Sequence, residues 1–486
     1  MLFLDKLFAN VRKDENAPAY VSGKETLSYG ELWDKACALS SEIAIRASDR
    51  RPVVVIGGKE PYMPVSFIAC AMYGAPYCPV DISMPQERIR DIIAATGDPL
   101  VIMADKKTPL PEGVRCLTYG ELEKTVSGVK QSPAQRETVR KLLHTLESED
   151  TMYIIFTSGS TGKPKGVEIS YGALSRFTDW SVTLAEGARV FIDQAPFSFD
   201  LSVMDTYTAL SMGASVYSLS KYAQEDMRTL LESLRESGAD TWVSTPSFAD
   251  LVLADRAFSE ELMPKLERFI FCGERLTLRT VTRLYERFPK SRIINTYGPT
   301  ESTVAVTCAV IKKEAAEAGE EIPIGEVRPG SGIDIADDGE LIIWGDTLAN
   351  GYYNDPERTD AAFYTNEEGR RCYRTGDIGY RKGNMLYYTS RKDSQIKLHG
   401  YRIELGDIEN NLLRIEGVNR ALVVPETDEE TVKYLKAYVE TESEMTSREV
   451  KASLAELLPQ YMIPKRIIFT DSIPMTANGK VDRRAL

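Results

Sequence analysis

Histidine is scarce in this chain: His144 and His399 are the only two among 486 residues. Neither a G-x-S-x-G elbow nor an H-E-x-x-H pair occurs, so a Ser-His-Asp hydrolase or a zinc enzyme lacks its parts. Cysteine is thin as well. The seven thiols (Cys37, Cys70, Cys78, Cys116, Cys272, Cys308 and Cys372) are scattered, with no C-x-x-C pair, and read as reduced thiols of a cytosolic protein. No G-x-G-x-x-G occurs: Gly330 and Gly332 are followed by Ile335 where a third glycine is needed, so a dinucleotide-binding turn is excluded there. Long apolar runs are missing too. The opening MLFLDKLFANVRKDENAP has no apolar core of signal-peptide length, and no stretch reaches the length of a membrane span. A cytoplasmic protein with no membrane insertion is expected. Positive charge is in deficit, 59 Lys and Arg against 72 Asp and Glu, for a formal net charge of −13. That disfavours a nucleic-acid or acidic-membrane binder, but leaves room for an anionic substrate held by a local cationic loop.

What is present is an ordinary globular composition, 43% hydrophobic, in a chain long enough for about three domain-sized units. Buried-strand candidates begin near Val53, Tyr77, Val101, Val190, Ala214, Thr241, Phe269 and Arg292. Helical patterns lie between them, and the spacing is the βαβ rhythm of mostly parallel sheets. An α/β fold is expected, with lobes at about 1–125 and 151–310 joined by a polar helical stretch, Lys124–Asp150. Short glycine-separated segments at about 320–390 predict a small β-barrel or distorted sheet. From Arg391 the texture changes again. The expected division is a large domain over 1–391 and a small α+β domain over 392–486, with the charged Arg391-Lys392-Asp393-Ser394 as an exposed hinge.

The richest stretch is Tyr153–Val167, YIIFTSGSTGKPKGV. An apolar strand runs into a loop with three glycines, four hydroxyls and two lysines (Thr157, Ser158, Gly159, Ser160, Thr161, Gly162, Lys163, Lys165, Gly166). Backbone N–H groups, hydroxyls and positive charge together make a phosphate grip. It is no Walker A loop: Thr157 stands where the first glycine belongs, and Pro164 where Ser or Thr must follow the lysine. The chain then returns through Gly166-Val167-Glu168-Ile169 into another strand.

Four more stretches carry chemistry. Phe197-Ser198-Phe199-Asp200-Leu201-Ser202 sets one carboxylate among apolar neighbours; read alone, Asp200 is an N-cap of a helix starting near Leu201. Asn295-Thr296-Tyr297-Gly298-Pro299-Thr300-Glu301 joins an aromatic for a purine face, a hydroxyl for a phosphate oxygen and a carboxylate for a hard cation around a Gly-Pro turn. Tyr373-Arg374-Thr375-Gly376-Asp377 ends in a carboxylate able to accept two neighbouring ribose hydroxyls, though an exposed Gly-Asp turn reads the same way. Met475–Asp482 contains Asn478-Gly479, a tight-turn signal that aims Lys480, in what composition alone would read as a basic tail.

Together these motifs resemble those of the adenylate-forming superfamily, which includes acyl-CoA synthetases, luciferases and amino-acid adenylation domains. Leu27-Ser28-Tyr29-Gly30-Glu31-Leu32, Gly339-Glu340-Leu341, Gly351-Tyr352 and Leu458–Pro464 match further motifs in the same order. The resemblance implies ATP and Mg²⁺. It implies an ATP site of Thr157, Ser158, Gly159, Thr161, Gly162, Lys163, Asn295, Thr296, Tyr297, Gly298, Pro299, Thr300, Asp377, Tyr388 and Arg391. Within that site Tyr297 stacks on adenine, Thr300 meets the α-phosphate, Asp377 binds ribose and Arg391 is the second ribose contact. The usual glycine before that arginine is Ser390 here, which alters backbone freedom and leaves the charge intact. Glu301 is implied as the metal ligand and Asp393 as the hinge. Lys480 is implied as the catalytic lysine that bridges the substrate carboxylate and the α-phosphate, and so touches both ATP and substrate. Amino-acid adenylation domains hold the substrate ammonium with the Asp of the Phe197–Ser202 motif, so Asp200 points to an amino acid.

Three stretches narrow the choice: Trp242–Phe248 with its Thr-Pro-Ser-Phe, Cys272 before Gly273-Glu274, and His399 within Lys397–Arg402. All three resemble stand-alone adenylation enzymes that load D-alanine onto a separate D-alanyl carrier protein at the start of teichoic and lipoteichoic acid D-alanylation. The implied partners are D-alanine and a phosphopantetheinylated carrier protein. No nucleic acid is expected, and the enzyme is expected to be a monomer. The chain ends soon after Lys480, so the acceptor is expected to be a separate molecule. Cys272 and Val304 are expected to wall the D-alanine pocket beside Asp200 and Lys480. Two other readings stay open: an adenylation enzyme for another small amino acid or an acyl- or aryl-CoA synthetase, and a non-catalytic protein on the same fold.

Overall fold

The computed structural model describes residues 2–470 and 473, apart from 48, 98, 110–112, 160–163, 394, 429–430 and 442. Contacts divide the chain into two units. The first takes in Met1–Ile82, Thr96–Ile155 and Gly166–Ser390, and the second Ser83–Ala95, Phe156–Lys165 and Arg391–Leu486.

Two large sheets dominate the first unit. One has seven strands in the order Gly351–Tyr352, Lys165–Ser170, Thr151–Thr157, Tyr77–Asp81, Val53–Gly57, Leu100–Met103, Cys116–Leu117. One of its inner strands, Val53–Gly57, is buried at every position. It has parallel partners on both edges, Tyr77–Asp81 and Leu100–Met103, and a strand with no solvent side reads as an unbroken apolar run, here VVVI. The other sheet has nine strands in the order Glu326–Val327, Thr307–Ile311, Arg292–Tyr297, Arg268–Phe271, Thr241–Ser244, Val190–Asp193, Ser215–Ser218, Pro18–Ser22, Glu25–Ser28. The strand starts anticipated from the βαβ rhythm all fall within these two sheets. Each sheet, however, draws on both expected lobes. Thr151–Thr157 pairs with Tyr77–Asp81, and the N-terminal strand Pro18–Ser22 adds in parallel to Ser215–Ser218.

Many of the helices start where a side chain satisfies one of their first N–H groups. Ser28 and Glu31 form a reciprocal capping box for Tyr29–Arg46, so the LSYGEL motif has a structural reason of its own. The segment expected as a small β-barrel is an open antiparallel sheet. Ser331–Ile335, Glu340–Gly345, Arg371–Lys382 and Phe363–Thr365 lie in that order, and Met385–Arg391 pairs with Arg371–Lys382. Among the described residues no pairing closes it, because its outer strands Ser331–Ile335 and Phe363–Thr365 each have one neighbour.

The second unit has its own core. A hairpin, Gln395–Leu398 with Tyr401–Glu404, and a three-stranded sheet of Val418–Thr427, Val432–Thr441 and Arg466–Phe469 accompany helices Leu405–Leu412 and Ser447–Leu457. Ile403, Ile408, Leu412, Val423, Ala437 and Leu454 pack together there.

Candidate active site

In the first unit the strand Arg292–Tyr297 delivers three candidate residues to its carboxyl end. Its parallel neighbours keep Phe271 opposite Asn295 and Ser244 opposite Phe271. Two of the three side chains secure the backbone around them: Thr296 Oγ1 donates to Phe271 O and Asn295 Nδ2 to Pro323 O, each at 2.8 Å. The third, Tyr297, donates its hydroxyl to Asp377 Oδ2 at 2.7 Å. The adenine candidate and the ribose candidate, 80 residues apart in sequence, are thus joined directly. Tyr388, half-buried, packs against the core of the same unit.

The turn after Tyr297 is tight. A Cβ on Gly298 would lie 2.6 Å from Ala305 Cα, so no larger residue fits without moving backbone. Pro299 leads into a 3₁₀ turn, Thr300–Ser302. Glu301 is fully buried there, and its Oε1 accepts from the Tyr352 hydroxyl at 2.8 Å. Two β-branched residues follow in left-handed conformation, Thr303 at φ 61 and Val304 at φ 66. Each costs on the order of 1–3 kcal/mol and persists only where its surroundings enforce it. Here Thr303 Oγ1 donates to Thr347 O, and Ala305 N–H donates to Thr303 O, both at 2.8 Å. The bend brings the Val304 carbonyl within 3.5 Å of Cys272 Sγ. The two expected pocket walls are therefore in contact, and both are buried.

Asp200 occupies the N-cap position of the helix Leu201–Met212, as its sequence context suggests, but makes no side-chain cap hydrogen bond. Its φ of −64 and ψ of −21 are helical, whereas a capping Asp needs extended backbone to turn its oxygen back onto the first N–H groups. The residue is 9% exposed.

In the second unit Thr157 Oγ1 is buried with no hydrogen-bond partner among the described residues, an orphaned donor at the start of the phosphate-loop candidate. Ser158 Oγ donates to Arg402 O at 2.7 Å and accepts from Glu404 N–H at 3.2 Å. Gly159 is buried. Arg391 binds Asp393 through two parallel bonds, Nε to Oδ1 at 2.8 Å and Nη2 to Oδ2 at 2.7 Å, and also donates to Gln395. Burial raises the Asp393 carboxyl, but the bond and charge of Arg391 outweigh it and hold the group below the usual carboxylate range. Thr161, Gly162, Lys163 and Lys480 lie outside the described residues.

Sequence reasoning assigned no role to Tyr352, although Gly351-Tyr352 stood among the matched motifs. Its hydroxyl on Glu301 shows why a tyrosine is useful there. Among the described residues no group of three or more His, Cys, Asp or Glu side chains is placed to hold a metal by itself.

A fold of two parallel-rich sheets, a small antiparallel sheet and a small α+β unit, with an aromatic–carboxylate pair beside a buried glutamate, defines a class of enzyme. The chain belongs to the AMP-binding enzyme family, whose model matches residues 7–353; the AMP-binding enzyme C-terminal domain matches 407–480. Its similar relatives carry a more particular name. It is 41% identical over 489 residues to the D-alanine–D-alanyl carrier protein ligase of Bacillus licheniformis, covering 96% of this chain and 95% of that protein. It is 38% identical over 506 residues to the ligase of the same name from Listeria monocytogenes, covering 99% and 98%. The fold is similar to the crystal structure of the Vibrio cholerae adenylation domain AlmE in complex with glycyl-adenosine-5′-phosphate. The TM-score is 0.84 at 24% identity, covering 99% of this chain and 96% of that one.

Proposed function

We propose that this protein is an ATP-dependent, AMP-forming ligase that activates D-alanine and loads it onto a carrier protein. D-Alanine carboxylate attacks the α-phosphate of ATP, giving D-alanyl-adenylate and pyrophosphate. The phosphopantetheine thiol of a separate carrier then attacks the acyl carbon and releases AMP. No covalent enzyme intermediate is required, so the scarcity of His and the inert setting of the buried thiols cost nothing. Catalysis is by positioning and charge.

Asp200 is the observation that carries the choice of an amino acid. A buried carboxylate at a helix N-cap that does not cap its helix is suited to an ammonium, which needs a paired anion once desolvated. We assign Asp200 to the D-alanine ammonium, with Cys272 and Val304 as walls around the methyl group. Tyr297 stacks on adenine, Asp377 and Arg391 hold ribose, Tyr388, Asn295, Thr296, Gly298 and Pro299 line the nucleotide site, and Thr300 meets the α-phosphate. The Thr157–Lys163 loop grips the phosphates. Glu301 suits a hard cation, and Mg²⁺ typically takes one or two carboxylates and completes its shell with phosphates and water; bound there, it would neutralise phosphate charge. Lys480 bridges the two reacting anions. Asp393 is the hinge between a large domain, 1–391, and a small one, 392–486, which adopt different orientations in the two half-reactions. We place the enzyme in the cytoplasm as a monomer, feeding D-alanylation of teichoic and lipoteichoic acids. No helix among the described residues is long and apolar enough to cross a membrane.

The test is carrier loading. With labelled D-alanine, ATP and Mg²⁺, a phosphopantetheinylated D-alanyl carrier protein should gain a hydroxylamine-labile label as AMP appears, and its apo form should gain none. Label transfer to coenzyme A in preference to the carrier would overturn the reading.

A further inference from the structure

A buried ion cluster in the first unit lies just upstream of Asp200. Lys59 follows the strand Val53–Gly57 at its carboxyl end, and Asp193 closes the strand Val190–Asp193 of the other large sheet. The Lys59 side chain is 7% exposed and that of Asp193 0%. The Lys59 ammonium donates to Asp193 Oδ1 and also to the carbonyl of Ala195. It sits 4.2 Å from the ring centroid of Phe197, a cation–π arrangement that gains strength when desolvated. The lysine is itself held: the Tyr20 hydroxyl donates to its carbonyl at 3.1 Å. The Phe197 ring is braced edge-on by Phe67 at 5.2 Å.

A second carboxylate, Asp205, is fully buried in the helix that Asp200 opens. Its Oδ1 accepts from Thr206 Oγ1 at 3.0 Å, and its Oδ2 has no hydrogen-bond partner among the described residues. Burial, reinforced by the neighbouring Asp193 charge, raises its carboxyl well above the usual range. Burial together with a neighbouring carboxylate disfavours the charged form of this second acid.

The segment from Asp193 to Asp200 is the loop that carries the proposed ammonium anchor. One lysine grips it at three successive alternate residues: a carboxylate at 193, a carbonyl at 195 and a ring at 197. We infer that Lys59 is a positioning residue for amino-acid recognition, clamping the loop Asp193–Phe197 so that Asp200 meets the substrate ammonium. The inference rests on the assignment of Asp200 to that ammonium. Ser218 also donates to Asp193 Oδ2 at 3.0 Å and Gln224 to the Gln194 carbonyl at 3.2 Å, but Lys59 is the cation that reaches Asp193, Ala195 and Phe197 together, and misplacement of a binding group by about 1 Å can cost on the order of 100-fold.

The test uses the full-length enzyme in ATP–pyrophosphate exchange, with separate KM values for D-alanine and ATP. Lys59→Met keeps the apolar stem over Phe197 and removes the ammonium. It should raise the KM for D-alanine by about 10–100-fold and leave the KM for ATP little changed. Because this variant strands a buried carboxylate, the companion is Lys59→Met with Asp193→Asn, which restores neutrality. The double variant should melt near the wild type and still show the raised KM for D-alanine, since no ammonium then draws the Ala195 carbonyl and the Phe197 ring together. A folded double variant with a wild-type KM for D-alanine would overturn the inference, leaving Lys59 as mere charge balance. A parallel rise in both KM values, or failure of both variants to fold, would assign Lys59 to the core and overturn it too. Asp200→Asn in the same assay separates the two layers. If it raises the D-alanine KM and the Lys59 variants do not, only the clamp falls; if it has no effect, the ammonium assignment itself falls.

Discussion

In the proposed site Asp200 and Cys272 are assigned to substrate selection, by different physics. Asp200 acts through charge. Asp200→Asn preserves size and removes the anion, so amino-acid affinity should drop by roughly 2–5 kcal/mol, the cost of leaving a desolvated ammonium unpaired. ATP affinity, measured in the same titration, should hardly move; a parallel collapse would make Asp200 part of the framework. Cys272 acts through volume. Its thiol lies on the Val304 carbonyl, and in the proposed site both residues border the space left once ammonium and carboxylate are fixed. Two directions then remain for the methyl of alanine, one per enantiomer. A methyl-sized clash is worth roughly 1–3 kcal/mol, or about 10–200-fold in discrimination. Cys272→Ala should therefore raise kcat/KM for L-alanine and leave D-alanine nearly unchanged. An unaltered D/L ratio would remove Cys272 from the selectivity account.

Elements are held in register by a few buried polar ties. Arg136, on the helix Pro133–Leu142, binds Asp34 on the helix Tyr29–Arg46 through two bonds of 2.7 Å, with both side chains under 10% exposed. Arg136→Ala would leave Asp34 buried without its cationic partner, keeping only the Gln131 N–H at 3.0 Å, at a cost of roughly 3–5 kcal/mol. A clear fall in melting temperature is expected, and much of it should be recovered in Arg136→Met with Asp34→Asn. Element identity was largely legible from the sequence, because it rests on local signals. The unbroken VVVI at Val53–Ile56 marked a buried strand, and the capping-box residues Ser28 and Glu31 fell within a motif already singled out. Element partnership was not legible. Nothing near Pro18–Ser22 indicates that it adds to Ser215–Ser218, almost 200 residues on, and closure of the Ser331–Arg391 sheet depends on edge pairing that no local pattern records. At the site, the loops around Tyr297 and Asp377 could be read as motifs, whereas their hydrogen bond could not. Lys59 escaped notice for the same reason. Its partner Asp193 is 134 residues away, and a lone lysine after a glycine pair looks like an ordinary surface turn.

At the scale of the whole molecule, one active centre must serve two reactions with opposite needs. Adenylation brings two anions together and, in the proposed scheme, is served by Lys480; thioester formation needs an open path for a long pantetheine arm. If two domain orientations divide the work about Asp393, Lys480→Ala should lower adenylate formation by about 10²–10³-fold or more. Thioester formation from supplied D-alanyl-adenylate should be spared, because that step uses the other orientation. Equal loss in both half-reactions, followed by single-turnover quench, would contradict the two-orientation scheme. The central claim, activation of D-alanine as its adenylate, is tested most directly by ATP–pyrophosphate exchange across D-alanine, L-alanine, glycine, D-serine and acetate. The account predicts the highest kcat/KM for D-alanine, weaker exchange with the other amino acids, and none above background with acetate, which has no ammonium for Asp200. Preference for L-alanine, or exchange with acetate matching that with D-alanine, would contradict it.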